Sequence, residues 1–143
     1  MIVDIISPLK NLEKLRLFHL ENLETDAELV EILENTDNLS ELTITKAYNF
    51  KLTRVINSFK APSLLVLDIT DSKYFNDDDL VTLCKNSPNL KGLNLSWCNN
   101  LTAESLEIMV RSCLRLENLI LTGVKDSKDI IFTEYLPLLK EFE

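Results

Sequence analysis

The feature that most restricts what this chain can fold into is a leucine spacing that returns along nearly its whole length. Leu12, Leu15 and Leu17 form an L-x-x-L-x-L group, and the same group recurs as Leu39, Leu42, Ile44, as Leu64, Leu67, Ile69, as Leu90, Leu93, Leu95 and as Leu116, Leu119, Leu121. The offsets are 27, 25, 26 and 26 residues, and Leu139 and Phe142 open a further group after a shorter step of 23. A period of this size marks an architecture in which one unit cannot bury its own apolar face, so that neighbouring units must stack to build a shared core.

Each unit divides into two halves. The last three positions of every group alternate apolar, variable, apolar, which predicts a short strand with its leucines on one face and its variable residues on the other. Five parallel strands, side by side in chain order, are therefore expected. Between them, Leu29, Ile32, Leu33, then Leu80, Leu83, Cys84, then Leu106, Met109, Val110 keep the i, i+3, i+4 spacing of one helix face. Leu52, Val55, Ile56 and Phe59 form the corresponding face of the second unit. Asn76 and Thr102 stand where N-caps are needed, with Asp79 and Glu104 in the first turns.

Composition removes most catalytic readings. The 143 residues include one histidine and two glycines, too few for a histidine metal cluster or a glycine-rich phosphate loop. Fifteen basic against twenty-three acidic residues give a net charge of -8, which repels a polyanion, and no basic stripe offsets it, so nucleic acid is not an expected partner. No apolar run approaches the ~18 residues of a membrane span, and MIVDIISPLK does not read as a signal peptide. Cys84, Cys98 and Cys113 fit neither a metal knuckle nor a disulfide framework, which predicts reduced, buried thiols in an intracellular protein, cytoplasmic or nuclear.

The unit resembles the cysteine-containing leucine-rich repeat of F-box leucine-rich repeat proteins, LxxLxLxxCxx(I/L)TxxxLxxLxxxCPxL. The fourth unit carries the match through Leu90, Leu93, Leu95, Cys98, Leu101, Thr102, Leu106, Met109, Cys113 and Leu116. At the first cysteine position other units have Leu20, Ala47 and Ser72, and at the second Thr36, Ala61 and Ser87. The ending Pro-x-Leu survives at Pro62 to Leu64 and Pro88 to Leu90. The resemblance implies a right-handed α/β horseshoe arc with parallel inner strands and outer helices. It also implies a substrate-receptor role in a ubiquitin ligase, although no stretch of the chain resembles an F-box.

For the candidate sites, the chemistry points away from catalysis. A cysteine nucleophile needs a base within ~3 Å, whereas His19 follows the first strand and Cys98 the fourth, about 14 Å apart at ~4.8 Å per strand. Asp77, Asp78 and Asp79 lack the ligand spacing and central glycine of a calcium loop and read as a solvated helix N-terminus. The variable strand positions instead define a mixed, mostly polar concave face. Arg16, Phe18, Asp68, Asn94 and Trp97 are its candidate contacts to a protein partner. Trp97 lies outside the strand register, either as a lid stacked on a neighbouring rung or as an exposed anchor.

The reading is thus one non-catalytic protein-interaction domain over residues 1–143, about five repeats with incomplete units at both ends, without metal or cofactor. A structural subunit of a large assembly is the third reading. Aligning Leu12 on Leu90 places Ile2, Val3, Ile5 and Ile6 on helix positions Leu80, Val81, Leu83 and Cys84, so the chain is expected to open inside a preceding unit. Uncapped ends of this kind favour association.

Overall fold

The structure is a computed structural model that describes residues 11–58, 63–128, 130 and 132–143. The expectations for Ile2, Val3, Ile5, Ile6, Phe59, Ala61 and Pro62 lie outside the described residues.

Six strands form one parallel sheet in strict chain order: β1 (Lys14–Leu17), β2 (Glu41–Ile44), β3 (Val66–Asp68), β4 (Gly92–Asn94), β5 (Asn118–Ile120) and β6 (Glu141–Phe142). Register follows the leucine groups, pairing Leu15 with Leu42, Leu42 with Leu67, Leu67 with Leu93, Leu93 with Leu119 and Leu119 with Phe142. The five leucines of that row are buried, whereas Phe142 is 51% exposed. Helices alternate with the strands: α1 (Ala27–Glu34), α2 (Thr53–Ser58), α3 (Asp77–Asn86), α4 (Ala103–Ser112) and α5 (Phe132–Tyr135). Each helix packs on the next, so strands and helices make two layers over one core. This is the α/β solenoid that the leucine spacing demands, since no single strand and helix could cover their own apolar sides.

The helix faces match the spacing. Leu29, Ile32 and Leu33, then Val55 and Ile56, then Leu80, Leu83 and Cys84, then Leu106, Met109 and Val110 are all buried. Phe75 and Phe50, outside both patterns, fill further core space under the loops.

The acidic run behaves differently from a solvated helix end. Asn76 and Asp79 form a capping box, each side chain accepting from the other's backbone N–H at 3.2 Å. Asp79 is buried and also accepts from the Thr53 hydroxyl at 2.7 Å. Thr102 stands at the N-cap of α4, yet its side chain caps nothing there. Its N–H and hydroxyl donate instead to Asp77 at 2.9 and 2.8 Å. Burial alone would raise the Asp77 carboxyl, but the hydrogen bonds from Ser105 and Thr102 outweigh it and hold the group below its ordinary value. Asp77 and Asp79 therefore tie their unit to its two neighbours. Among the described residues no cluster of three metal-ligating side chains occurs.

Candidate functional site at the strand ends

The backbone positions the site through a feature invisible in the leucine pattern. His19, Lys46, Asp71, Trp97 and Gly123 all have left-handed backbone, with φ of 59, 56, 57, 62 and 77°. They occupy one position of successive units, two residues past each strand's last apolar group. The N–H groups of Lys46, Asp71 and Trp97 donate to the carbonyls of Thr70, Ser96 and Thr122 at 3.0, 2.8 and 2.9 Å, so the ladder between units continues beyond the strands. The reversal drops the next side chain under the loops: Ala47, Ser72, Cys98 and Val124 are buried there. Left-handed backbone costs a non-glycine residue about 1 to 2 kcal/mol, and the unit-to-unit hydrogen bonds hold it in place. The left-handed residues themselves line the rim of the sheet.

The sequence-derived contacts fall into a row and this rim. Arg16, Thr43, Asp68, Asn94 and Ile120 are successive partners across the sheet, so Asp68 and Asn94 are neighbours while Arg16 stands two strands away. Asp68 and Asn94 close matching turns: Oδ1 of Asp68 accepts from the N–H and hydroxyl of Thr70 at 2.9 and 2.6 Å, and Oδ1 of Asn94 accepts from those of Ser96 at 3.0 and 2.6 Å. Arg16 and Lys14 both face Glu41, at 3.5 and 2.6 Å. The Lys14 ammonium holds the Glu41 carboxyl below its ordinary value. Phe18 lies just past β1 and is 58% exposed. Of the other variable positions, Gly92 and Ser96 are buried. His19 and Cys98 are not brought together, with β2 and β3 between their strands.

Trp97 is stacked on a neighbouring rung and is exposed as well. Its ring rests on Gly123 of the next unit, where an added Cβ would lie 2.5 to 2.8 Å from three ring atoms. Yet the residue is 53% exposed, and it walls a cleft of about 460 Å³ on the side of the preceding units. Tyr48, Asn49, Asp71, Lys73, Tyr74 and Asn100 contribute the rest of that wall together with Asn99. The Tyr48 hydroxyl donates to Oδ2 of Asp71, and this hydrogen bond to a carboxylate, helped by desolvation, pushes the phenol up to about 12. Nδ2 of Asn100 donates to the Lys73 carbonyl at 2.6 Å, and Nδ2 of Asn49 to the Glu21 carbonyl at 2.5 Å, so both amides brace the loops. The Lys73 ammonium sits 5.3 Å from the centre of the Tyr74 ring.

Sequence reasoning found Trp97 but missed Tyr48, Asp71 and Tyr74. One signal was present for Tyr74: Asn49, Tyr74 and Asn100 each stand three residues past the left-handed residue of their unit and so share one repeat position, with Tyr48 one residue earlier.

The three cysteines are buried free thiols. Sγ of Cys98 donates to the Ile69 carbonyl at 3.2 Å, and burial pushes this thiol up to about 12. A hydrogen bond with Cys113, reinforced by burial, raises Cys84 as well.

No family model matches the chain, and no curated protein matches it in sequence. Solved structures do match. A structure of a TLR13–ssRNA13 complex superposes with a TM-score of 0.64 at 20% identity, covering 98% of this chain and 19% of that one. The tropomodulin C-terminal domain of Caenorhabditis elegans superposes with a TM-score of 0.65 at 11% identity, covering 96% of this chain and 93% of the other. The chain has the leucine-rich repeat fold. At these identities the likeness concerns the fold alone. No helix among the described residues is long and apolar enough to cross a membrane.

Proposed function

We propose that this chain is a protein-recognition module without catalytic chemistry, which binds its partner along the inner strands and their C-terminal rim. The observation that carries the reading is Trp97: an aromatic side chain seated on Gly123 and still half exposed beside an open cleft is pre-organised as a contact residue. Phe18 supplies a second exposed ring, and Arg16, Asp68 and Asn94 give polar contacts along the row between them. A site of this composition, apolar anchors among polar neighbours, suits a protein surface. One of the fold neighbours was solved with single-stranded RNA, but this chain's net charge of -8 disfavours a polyanion.

Residues 1–143 are read as one repeat domain. The role of substrate receptor in a ubiquitin ligase rests on the match of the fourth unit to the cysteine-containing repeat. Affinity capture with the native chain, the Trp97→Ala variant and the Phe18→Ala variant tests the proposal. A partner retained by the native chain and lost in both variants, while circular dichroism stays native, supports it. Equal retention by all three refutes this face. Ligase components among the retained proteins would favour the receptor role over a single client or a stoichiometric assembly.

A further inference from the structure

The cleft at the strand ends has chemistry of its own, aromatic rings and a carboxylate. One face of the Trp97 ring is covered by Gly123, in the following unit. Its remaining exposed surface adjoins a cleft built from the preceding units. Tyr74, 38% exposed, presents a second ring to the same space. Asp71 follows the same strand as Tyr74 and stands on the rung next to Trp97, its backbone N–H bonded to the carbonyl of Ser96. The Tyr48 hydroxyl is anchored to Oδ2 of that carboxylate, which fixes the group's orientation. Electron-rich ring faces beside an oriented carboxylate are what a planar cation binds, because guanidinium stacks on an aromatic face while its N–H groups donate to oxygen. The cleft already holds one cation–ring contact, since the Lys73 ammonium lies 5.3 Å from the centre of the Tyr74 ring. The acid excess of the whole chain attracts the same sign of charge.

We infer that the cleft between Trp97, Tyr74 and Asp71 receives the guanidinium of an arginine side chain from the partner protein. This rests on the recognition role proposed above and adds the chemistry of one contact. Trp97 stacks on the guanidinium plane, Asp71 accepts its N–H groups, and the Lys73 ammonium is the resident cation that the arginine displaces from Tyr74.

Trp97 is the chain's sole tryptophan, so its fluorescence reports on the site directly. The test titrates the full chain with a blocked glycine-arginine-glycine peptide and with the same peptide carrying citrulline or leucine at the centre. Citrulline keeps the planar shape and removes the charge. Saturable quenching by the arginine peptide, with at least tenfold weaker responses to the other two, is expected. Asp71→Asn retains an oxygen for the Tyr48 hydroxyl and tolerates left-handed backbone, and it should weaken the arginine peptide at least fivefold. Lys73→Met removes the competing cation and should tighten it two- to fivefold, a gain that a merely structural role for the cleft would not give. Equal responses to arginine and citrulline, no saturable response, or an unchanged affinity in Asp71→Asn would overturn the inference. Tighter quenching by a single-stranded oligonucleotide than by the arginine peptide would overturn it as well. Loss of the arginine response with a Trp97-dependent partner still captured would sink the guanidinium and leave the recognition role standing.

Discussion

Gly123→Ala isolates the contact that seats Trp97. Position 123 has φ of 77°, and an added Cβ would stand 2.5, 2.7 and 2.8 Å from Cε3, Cδ2 and Cζ3 of the indole. Two costs follow. The left-handed backbone contributes about 1 to 2 kcal/mol for alanine, and the ring must leave its seat to clear the methyl group. Roughly half of the Trp97 residue is covered, on the order of 100 Å² for a tryptophan, which at ~25 cal/mol per Å² sets an upper limit near 2.5 kcal/mol on what the displaced ring forfeits. A total of about 2 to 4 kcal/mol is expected from urea unfolding followed by circular dichroism. In a Trp97→Ala background there is no ring to displace, so only the backbone cost of about 1 to 2 kcal/mol should remain. The double-mutant cycle should therefore show a coupling of about 1 kcal/mol or more. Tryptophan emission should shift to the red in the single variant as the indole moves into water. Equal cost of Gly123→Ala in both backgrounds would show that the ring is not seated on the glycine.

Other outcomes follow from the packing. Leu93→Ala or Leu95→Ala should cost about 2 to 5 kcal/mol in urea unfolding, since both side chains are buried between strand and helix; a loss below ~1 kcal/mol would contradict the core assignment. Cys98 and Cys113 should resist a bulky maleimide in the native protein, because both are buried and the Cys98 thiol is pushed up to about 12; rapid native labelling would refute this. The hydroxyl of Ser87 is buried without a hydrogen-bond partner among the described residues, so Ser87→Ala should raise stability by about 1 kcal/mol, and a loss would mean the hydroxyl is satisfied. Tyr48, with its phenol pushed up to about 12 by Asp71, should give a late step in a phenolate absorbance titration that disappears in Tyr48→Phe. A folded value raised above the ordinary ~10 gives stability that is full below pH ~10 and is lost as pH rises towards 12; ionisation of Tyr48 near pH 10 in the folded protein would refute the bond.

The strands and helix faces were legible because each answers to a period. A spacing of two within the L-x-L groups and of three and four in the helices leaves one burial pattern available, and stacking at 26 residues leaves one strand order. Leu15, Leu42, Leu67, Leu93 and Leu119 accordingly stand in one row. The acidic run was less legible, since its carboxylates answer to hydrogen-bond partners a repeat away rather than to local sequence. Asp77 meets Thr102 across 25 residues, and Asp79 meets Thr53 across 26.

The rim was hidden for a more particular reason. Left-handed backbone is normally signalled by glycine, asparagine or aspartate, and here only Gly123 and Asp71 of the five positions carry such a residue; the others are His19, Lys46 and Trp97. Repetition substitutes for propensity. Once the strand and the buried position behind the turn are both committed to the core, the residue between them must reverse the chain, whatever its side chain. That side chain has no slot in the core and stays at the rim. A position with imposed backbone and unconstrained chemistry can differ from unit to unit without loss of fold, and in this chain it presents an acid and an indole on adjacent rungs. The same geometry explains why Gly123 is the one glycine in the column: Trp97 occupies the space that any side chain there would need.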